Sequence, residues 1–506
     1  MTLPLRRIHP LGLPLLAALV LRLGAAIWGN GYLMHDDHFL VVEAAASWAD
    51  GEDYNQWLPW NRGDRPGAHP VNFAYPTSQF LTFKMLHWVG IQNPEKQALI
   101  LRVLHGLYSL TTVLLGYLLT RSLVPGKKEV ATTVAWMLAA GGLWPLLSVH
   151  QLVEMVCIPP LMLALWALAR SENPGTKDLL LAGLGIGIAT GLRYQCGMIG
   201  LGLIPVLLIQ RRAGALLTVG LTALAAFFLM QAPDLLTWGK PFVQLQAYIE
   251  YNASHAGNYP QGPWYQYILT LTGLLIPPAS LMILWGAFHR KKAPEIWWRV
   301  AIPVLVFFLF HSLFANKQER FILPVVPGIM ALGCAGWALW TAKSRWWIQN
   351  RKLEHMAWKL FWAISVALLA ITLPYSGKKT RVDAMTFLYD QGSPVFAMVQ
   401  VDSGAMPPLF YAGSWARYHI DNRRELQENP ATVASRWCGH PPAFILFQGD
   451  RHLGEAVAEY KTALPKLRYV TTIKPSRIDR WLHELNPINS VERIMVYATD
   501  DALPCP

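Results

Sequence analysis

The chain has 506 residues, and its composition excludes an ordinary soluble multidomain protein. Charged residues make up 15% of the chain, against about 25% in a typical globular domain, while apolar residues reach 53%. In a soluble protein the formal charge of +12 would suggest a nucleic-acid partner, but membrane proteins collect Lys and Arg in their cytoplasmic loops. The sequence therefore predicts a membrane protein that contacts membrane lipids and binds no nucleic acid.

Apolar stretches predict eleven membrane-spanning helices, because one span needs about 20 mostly apolar residues. The predicted spans are 11–28, 100–120, 130–148, 152–169, 178–192, 196–210, 214–231, 265–288, 299–314, 322–341 and 357–374. Two of them, 178–192 and 196–210, are short enough to be tilted, kinked or partly re-entrant. The first span resembles a signal peptide, but no small-residue cleavage site follows it, so we predict that it is retained.

Loop charge predicts the side of the membrane on which each loop lies. With the N-terminus in the cytoplasm, the cytoplasmic loops before residue 375 hold 18 Lys and Arg and the outer loops before that residue hold 8, an asymmetry that the positive-inside rule favours. The first outer loop 29–99, loop 232–264, turn 315–321 and the tail from residue 375 then lie on the non-cytoplasmic side. We predict a transmembrane domain over 1–374 and a soluble non-cytoplasmic domain over 375–506.

The tail changes character from apolar helices to short β-like runs. These runs are separated by Pro, Gly and charged residues, and they lie at 394–400, 443–448, 467–473 and 493–499. This pattern predicts a small α/β domain. Cys438 and Cys505 are the two cysteines of the tail, and in an oxidising compartment we predict that they form a disulfide.

The first outer loop opens with a polar cluster, His35, Asp36, Asp37 and His38, followed by Glu43 on a predicted helix at 41–49. Carboxylates this close to a membrane span are costly unless they are used. Three interpretations stay open: a solvated loop start, a metal site, and a general base that takes the proton of an acceptor hydroxyl. Four consecutive residues cannot all converge on one ion, which weighs against the metal site. If residues 36 and 37 are extended, their side chains point to opposite sides, so one of the two Asp residues serves as the base.

Further polar and aromatic residues fall at the predicted outer ends of other spans. Taken singly, the cations could snorkel and the aromatic residues could anchor the chain at the interface. Grouped on one face with an acidic loop, they predict a site for a phosphate-bearing lipid. They are Glu154, Arg193, Tyr251, Asn252, Trp264, Tyr265, Tyr267, Lys317, Glu319 and Arg320.

These motifs resemble those of the mannosyltransferase family, of GT-C architecture, that extends dolichol-linked oligosaccharides and GPI-anchor glycans. The family's His-Pro-Asp-Glu and its later Glu correspond to residues 35–38 and Glu43. Its late His-Lys-Glu-x-Arg-Phe-x-x-Pro corresponds to residues 316–324, and its Tyr-Asn and Pro-Trp segments to 251–252 and 262–267. A weaker similarity joins two further family motifs to Gln151–Glu154 and Arg193–Gln195, and the resemblance covers roughly residues 15–340.

The resemblance implies an inverting glycosyltransferase. It would move a hexose, expected to be mannose, from a polyprenyl-phosphate-linked donor to a glycan or lipid-linked acceptor on the non-cytoplasmic face. Asp37 takes the place of the family's Asp and is the expected base, while Arg320, Lys317 and Arg193 would stabilise the departing phosphate. No cofactor is expected, although a metal is not excluded. Sugar binding, acceptor binding or support of the site would fall to Asp36, His35, His38, Glu43, Glu154, Tyr251, Asn252, Trp264, Tyr265, Tyr267 and Glu319.

Departures from the family pattern keep alternatives open. The family's Asp-Glu is here Asp37-His38, and its His-Lys-Glu is Asn316-Lys317-Gln318. Related membrane transferases that move pentose, aminoarabinose, glucose or an oligosaccharide remain possible, as does a polyprenyl-lipid flippase, although a flippase would need charged residues along a path across the bilayer. We expect a bacterial inner-membrane protein with its site facing the periplasm, because no ER retrieval signal is present. The sequon at 252–254 favours the alternative, an ER membrane with a lumenal site.

Overall fold

A computed structural model describes residues 9–63, 67–289, 294–392, 394–402, 404–415, 418–422, 437, 439–487 and 491–500. The chain forms two compact units. The first comprises Met1–Gly29, Gln56–Ser78 and Ile100–Pro374, and the second comprises Asn30–Asn55, Gln79–Leu99 and Tyr375–Pro506. The predicted division at residue 374 stays a prediction, and so does the disulfide, because Cys438 and Cys505 lie outside the described residues.

Most of the chain before residue 375 is helical, and the helices follow the apolar stretches. In chain order the helices are Gly12–Trp28, Ala44–Ala49, Ala74–Trp88, Pro94–Leu123, Lys128–Ala140, Trp144–Leu147, Val153–Val156, Ile158–Ala169, Thr176–Leu192, Gly197–Ile209, Ala213–Met230, Ala232–Trp238, Val243–His255, Gln266–Leu274, Ala279–Phe288, Glu295–Leu313, Val326–Thr341, Arg345–Gln349 and Arg351–Thr372. A π-helix, Asp37–Glu43, precedes the second of them, and short 3-10 turns lie at Pro59–Asn61, Tyr194–Cys196, Ala256–Asn258 and Glu319–Val325.

All eleven predicted spans coincide with helices, and three of them contain a break. The span at 130–148 is interrupted after Ala140, and the span at 152–169 after Val156. The span at 265–288 stops at Leu274 and resumes after Pro277 and Pro278. Proline lacks the N–H that a continuing helix needs, which accounts for the third break. Apolar composition therefore located these segments but not their interruptions.

Among the described residues, five helical segments are long and apolar enough to cross a membrane: Pro94–Leu123, Ala213–Met230, Glu295–Leu313, Glu319–Thr341 and Arg351–Thr372. Shorter apolar helical segments are Gly12–Trp28, Val153–Ala169, Tyr194–Ile209 and Ala279–Phe288. The predicted fold class, a polytopic helical membrane protein with a small C-terminal α/β domain, is confirmed. The eleven-span topology with a cytoplasmic N-terminus stays a prediction.

Small residues allow helices of the first unit to approach closely, as is usual where lipid supplies no hydrophobic drive for helix association. A side chain at Gly336 would place its Cβ 1.9 Å from the carbonyl oxygen of Gly286, and one at Gly286 would lie 2.1 Å from the carbonyl oxygen of Gly333. Any larger residue at these positions would push helices Ala279–Phe288 and Val326–Thr341 apart.

The tail contributes a five-stranded mixed sheet to the second unit. Its strands are β1 (Phe396–Gln400), β2 (Tyr418–Asn422), β3 (Phe444–Gly449), β4 (Arg468–Ile473) and β5 (Arg493–Ala498). Their order is β2-β1-β3-β5-β4, with β1 parallel to β2 and β3, and β5 antiparallel to β3 and β4. Four strands coincide with the predicted β-like runs. The sequence missed β2, a short edge strand rich in polar residues that pairs with β1 alone.

The described part of the tail also contains three helices, Lys379–Asp390, Leu453–Ala463 and Arg477–Leu485, and a 3-10 turn, Leu409–Ala412. Helix Leu453–Ala463 buries Ala456, Val457 and Tyr460 against Ile445 and Phe447 of β3. Burial of such large apolar side chains is the main source of stability for this small sheet.

Candidate functional site

Asp37 lies at the start of the π-helix Asp37–Glu43, in the second unit. The helix predicted at 41–49 therefore begins earlier than expected. Asp36 has helical dihedral angles, φ −60° and ψ −45°, so the expectation of an extended stretch at these two residues is wrong. Asp37 is buried, Asp36 is half-buried and His35 is exposed. Single π-turns are rare and concentrate at functional sites, so this turn marks the segment independently of its acidic residues.

His38 and Glu43 join this π-helix to the 3-10 turn Leu409–Ala412. The His38 ring stacks between Tyr32, at a centroid distance of 4.2 Å, and Tyr411, at 5.6 Å. Its Nε2 lies 3.2 Å from Oε1 of Glu43, and the same oxygen accepts a hydrogen bond from the backbone N–H of Phe410 at 3.0 Å. Glu43 is fully buried, and within the described part of the chain its Oε2 has no hydrogen-bond partner. These contacts fix the π-helix that carries Asp37.

Two buried phenols stand beside the same helix. Burial raises the pKa of Tyr32 to about 12, although the nearby Arg381 acts in the opposite direction. Burial and the neighbouring Glu43 carboxylate also raise the pKa of Tyr54, whose hydroxyl donates to the carbonyl of Phe39 at 3.1 Å. Both phenols therefore stay protonated at neutral pH and can act as hydrogen-bond donors.

The described residues hold no group of three His, Cys, Asp or Glu side chains arranged for a metal ion. In the acidic loop His38 faces Glu43, and a ring contact of 4.4 Å places His35 against Phe39.

In the first unit the structure brings Glu154, Arg193 and Arg320 together. Arg193 follows helix Thr176–Leu192 in an extended conformation, and its Nη1 donates to Oε1 of Glu154. The Nε of Arg320 lies 3.7 Å from the same oxygen. Both guanidinium groups also lie over the ring of Phe321, at 4.8 Å for Arg193 and 5.9 Å for Arg320. Three residues from distant parts of the sequence thus form one cluster, which we call the arginine cluster.

The arginine cluster contains one more positive charge than negative charge in a buried place. Glu154 is 0% exposed and Arg193 is 7% exposed. Within the described residues, Nε and Nη2 of Arg193 and Oε2 of Glu154 are buried without a hydrogen-bond partner. An unsatisfied buried donor of a charged group costs several kcal/mol in order of magnitude, so such donors are usually explained by a ligand, an ion or a water. The cluster is therefore suited to an anion that brings its own acceptor oxygens.

Lys317 has a different environment from the one that the sequence suggested. Its Nζ donates to the carbonyls of His311 and Ser312, each at 2.8 Å, and to the carbonyl of Phe314. These are carbonyls at the C-terminal end of helix Glu295–Leu313, where a cation is also favoured by the helix dipole. Burial lowers the pKa of Lys317. All three ammonium protons are thus engaged with the backbone rather than directed to a ligand.

The aromatic segment at 259–267 lies against the loop that carries Lys317. The backbone N–H of Lys317 donates to the carbonyl of Pro260 at 2.9 Å, and Gln261 forms a bridge with Asn316. Tyr267 is fully buried, lies 5.4 Å from the Lys317 ammonium and donates its hydroxyl to the carbonyl of Gln318 at 3.1 Å. The two family-like motifs therefore form one structural element.

The other predicted residues are exposed or make hydrogen bonds to residues near them in the sequence. Trp264, Tyr265 and Glu319 are exposed. Tyr251 shares a hydrogen bond of 2.6 Å with the hydroxyl of Tyr259, and Asn252 donates to the carbonyl of Tyr248 at 2.8 Å. The structure shows these side chains in local contacts.

Sequence reasoning missed Tyr411 and Phe410, which contact His38 and Glu43 from the tail. No local signal marks them, because they are more than 360 residues away along the chain. It also missed Tyr248, whose hydroxyl accepts a hydrogen bond from Nε2 of Gln195, two residues after Arg193. The similarity at Arg193–Gln195 was the one signal that led toward that contact.

The sequence of the chain is similar to that of known mannosyltransferases. Residues 13–399 match the model of the Alg9-like mannosyltransferase family. The mannosyltransferase APTG1 of Arabidopsis thaliana is 24% identical over 346 residues, which cover 64% of this chain and 58% of that protein. The human α-1,2-mannosyltransferase ALG9 is 28% identical over 108 residues, which cover 19% of this chain and 18% of that protein. The chain thus matches less than two thirds of the length of these relatives.

Solved structures show the same fold at low sequence identity. ArnT of Cupriavidus metallidurans, bound to undecaprenyl phosphate, superposes with a TM-score of 0.62 at 14% identity over 98% of both chains. The oligosaccharyltransferase of Archaeoglobus fulgidus has a TM-score of 0.54 at 13% identity, over 97% of this chain and 73% of that one. The fold is therefore of the GT-C type.

Proposed function

Because the chain belongs to the Alg9-like mannosyltransferase family, we propose that it is an inverting membrane glycosyltransferase that uses a polyprenyl-phosphate-linked sugar. The sugar is a hexose, mannose by family membership, and the acceptor is a glycan or a lipid-linked glycan on the non-cytoplasmic face. The observation that carries the proposal is the arginine cluster, with two buried donors of Arg193 that have no partner among the described residues. The undecaprenyl phosphate bound to ArnT, a protein of the same fold, supports a donor of this class.

In this proposal the arginine cluster binds the donor phosphate. Nε and Nη2 of Arg193 donate to phosphate oxygens, and Arg320, whose Nε donates to Oε1 of Gln318 at 3.0 Å, adds a second positive charge. Glu154 holds Arg193 by Nη1 and so sets the direction of the remaining donors. Lys317 contributes its charge from the helix end that it caps. These cations stabilise the negative charge that grows on the phosphate as the glycosidic bond breaks.

Asp37 acts as the general base. It accepts the proton of an acceptor hydroxyl while that oxygen attacks the anomeric carbon, and the bond from this carbon to the phosphate oxygen breaks. The products are the extended glycan and a polyprenyl phosphate, which is a stable anion and needs no proton from an acid. Direct displacement by the acceptor inverts the anomeric centre. His38 and Glu43 position the π-helix on which Asp37 lies.

The location of the site follows from loop charge and stays a proposal. We place the π-helix and the arginine cluster on the non-cytoplasmic face. In a bacterial cell this is the periplasmic face of the inner membrane, with residues 375–506 outside the cytoplasm.

A transfer assay tests the function. The purified chain in lipid nanodiscs is incubated with a lipid extract from cells that lack it, and with either radiolabelled polyprenyl-phosphate mannose or radiolabelled GDP-mannose. We expect label in one extract lipid with the polyprenyl donor only, and no label with Asp37→Asn. Transfer from GDP-mannose, or from polyprenyl-phosphate pentose or glucose in place of mannose, would contradict the donor. The lipid that stops one sugar short in the deletion strain identifies the acceptor.

A further inference from the structure

A cavity of about 1060 Å³ lies in the second unit, between residues of the first outer loop and residues of the tail. It is larger than the roughly 300–1,000 Å³ that is usual for small-molecule sites. Asp50, Glu52 and His87 line it from the loop, while Tyr389, Trp415 and Tyr418 line it from the tail. The space is therefore sufficient for several sugar rings rather than one.

The indole of Trp415 is held at the cavity wall by a hydrogen bond and a ring contact. Its Nε1 donates to Oδ2 of Asp50 at 2.6 Å, and Oδ1 of Asp50 lies 3.6 Å from Nε2 of His87. The ring of Tyr54 packs on the indole at a centroid distance of 5.3 Å. A preoriented aromatic face loses little entropy when it binds a ligand, and it offers a flat apolar surface that fits the C–H face of a sugar ring.

Two carboxylates and three imidazoles line the cavity, those of Asp50, Glu52, His87, His419 and His440. Asp50 and Glu52 are its ionisable acids, and the described lining residues include no Lys or Arg. Carboxylates accept hydrogen bonds from hydroxyl groups but repel phosphates and sugar acids. These carboxylates thus suit a ligand with hydroxyl groups, whereas the arginine cluster suits an anion.

The cavity wall is joined directly to the π-helix of the proposed base. Phe410 lines the cavity, and its backbone N–H donates to Glu43 at 3.0 Å. Tyr54, which packs on Trp415, donates its hydroxyl to the carbonyl of Phe39 at 3.1 Å. Phe39 and Glu43 both belong to the helix that begins at Asp37. A ligand in the cavity thus contacts elements that hold this helix.

We propose that this cavity binds an uncharged oligosaccharide of several sugars, which is the glycan part of the acceptor. Trp415 supplies the stacking face, and Asp50 and Glu52 accept hydrogen bonds from sugar hydroxyls. The identification of the ligand as the acceptor rests on the proposed function. Carbohydrate binding itself is independent of turnover and is measured separately.

Saturation-transfer NMR on the full chain in lipid nanodiscs tests the cavity with three probes: methyl α-mannoside, an α-linked mannotriose and trigalacturonic acid. We expect the strongest binding for mannotriose and the weakest for the anionic trisaccharide. Trp415→Ala should weaken mannotriose binding about tenfold or more, because it removes the stacking face. Glu52→Ala changes an exposed residue, so it leaves the fold intact, and it should weaken binding about tenfold through loss of a hydrogen bond to a charged group.

The matched control is Trp481→Ala, which removes an exposed indole of the same unit that does not line the cavity. It should bind mannotriose like the wild type. Equal mannotriose binding in the wild type, Trp415→Ala and Glu52→Ala would overturn the proposal, as would a preference for trigalacturonic acid. A chain that transfers mannose but binds no mannotriose would overturn this inference alone. A chain that binds mannotriose through Trp415 but transfers no sugar would overturn the proposed function and leave the carbohydrate site standing.

Discussion

Replacement of Arg193 by Lys separates phosphate binding from the internal ion pair of the arginine cluster. Arg193 uses Nη1 for Glu154, while its buried Nε and Nη2 have no partner among the described residues. A hydrogen bond to a charged group is worth about 1.5–3 kcal/mol, so two such bonds to a phosphate give about 3–6 kcal/mol. Because every 1.4 kcal/mol is tenfold in Kd, the loss of both should weaken donor binding by at least about 100-fold.

The Arg193→Lys variant keeps one positive charge beside Glu154 but loses the planar fork. The melting temperature should therefore change little, which is the reason for choosing Lys rather than Ala. Arg193→Ala would leave Glu154 buried without its main partner, and the breaking of a buried pair costs about 3–5 kcal/mol of stability. The assay is the Kd of undecaprenyl phosphate, measured on the purified chain in nanodiscs together with its thermal unfolding.

Arg299→Lys is the matched control. Arg299 is fully buried in the same unit, but its donors go to internal acceptors, which include Gln210 and the carbonyls of Leu168 and Glu172. This variant should lose stability and keep its donor affinity. The reasoning is refuted if Arg193→Lys binds undecaprenyl phosphate within about threefold of the wild type, or if Arg299→Lys weakens binding by the same factor as Arg193→Lys.

Three further predictions follow the same logic. Asp37→Asn should lower turnover by about 10²–10⁴-fold and leave the Kd of the donor unchanged. Asp36→Asn should stay measurably active. If chelators abolish activity and a divalent ion restores it, Asp37 is a metal ligand instead of the base. Lys317→Met should leave buried carbonyls unpaired and cost about 1–3 kcal/mol of stability, seen as a lower melting temperature, while donor Kd rises less than in Arg193→Lys. Burial raises the pKa of Asp234 to about 6, whereas the pKa of an Asp in the unfolded chain is about 3.9. Between these two pH values the folded state binds more protons than the unfolded state. The free energy of unfolding therefore falls as pH rises from about 4 to about 6. Asp234→Asn should remove this slope and raise stability at pH 7 by up to about 3 kcal/mol; identical melting-temperature profiles for the two proteins would contradict it.

The sequence by itself determined where the regular elements lie. Apolar runs of span length coincide with helices, three of them interrupted, and four β-like runs of the tail are strands, because burial of apolar side chains is encoded locally by residue spacing. The predicted span ends put a set of polar residues on one face, which stays a prediction, and three of these residues, Glu154, Arg193 and Arg320, meet in the structure. The sequence predicted Arg193 and Arg320 as phosphate ligands and Glu154 as a residue for sugar binding, acceptor binding or support, but it did not predict that the three form one cluster.

Tertiary structure decided how individual polar groups are used. Lys317 has the charge of a phosphate ligand, but the carbonyls at the end of helix Glu295–Leu313 take its three donors, and only the path of the following loop brings them into reach. Glu43 accepts a hydrogen bond from the backbone N–H of Phe410, which is distant in the sequence. The wall of the cavity likewise depends on a hydrogen bond between two distant residues, Trp415 and Asp50. Periodicity carries no information on such contacts, because each depends on where distant segments pack. The sequence thus determined the types of group at the site, and the packing of distant segments decided which of their donors and acceptors remain for a ligand.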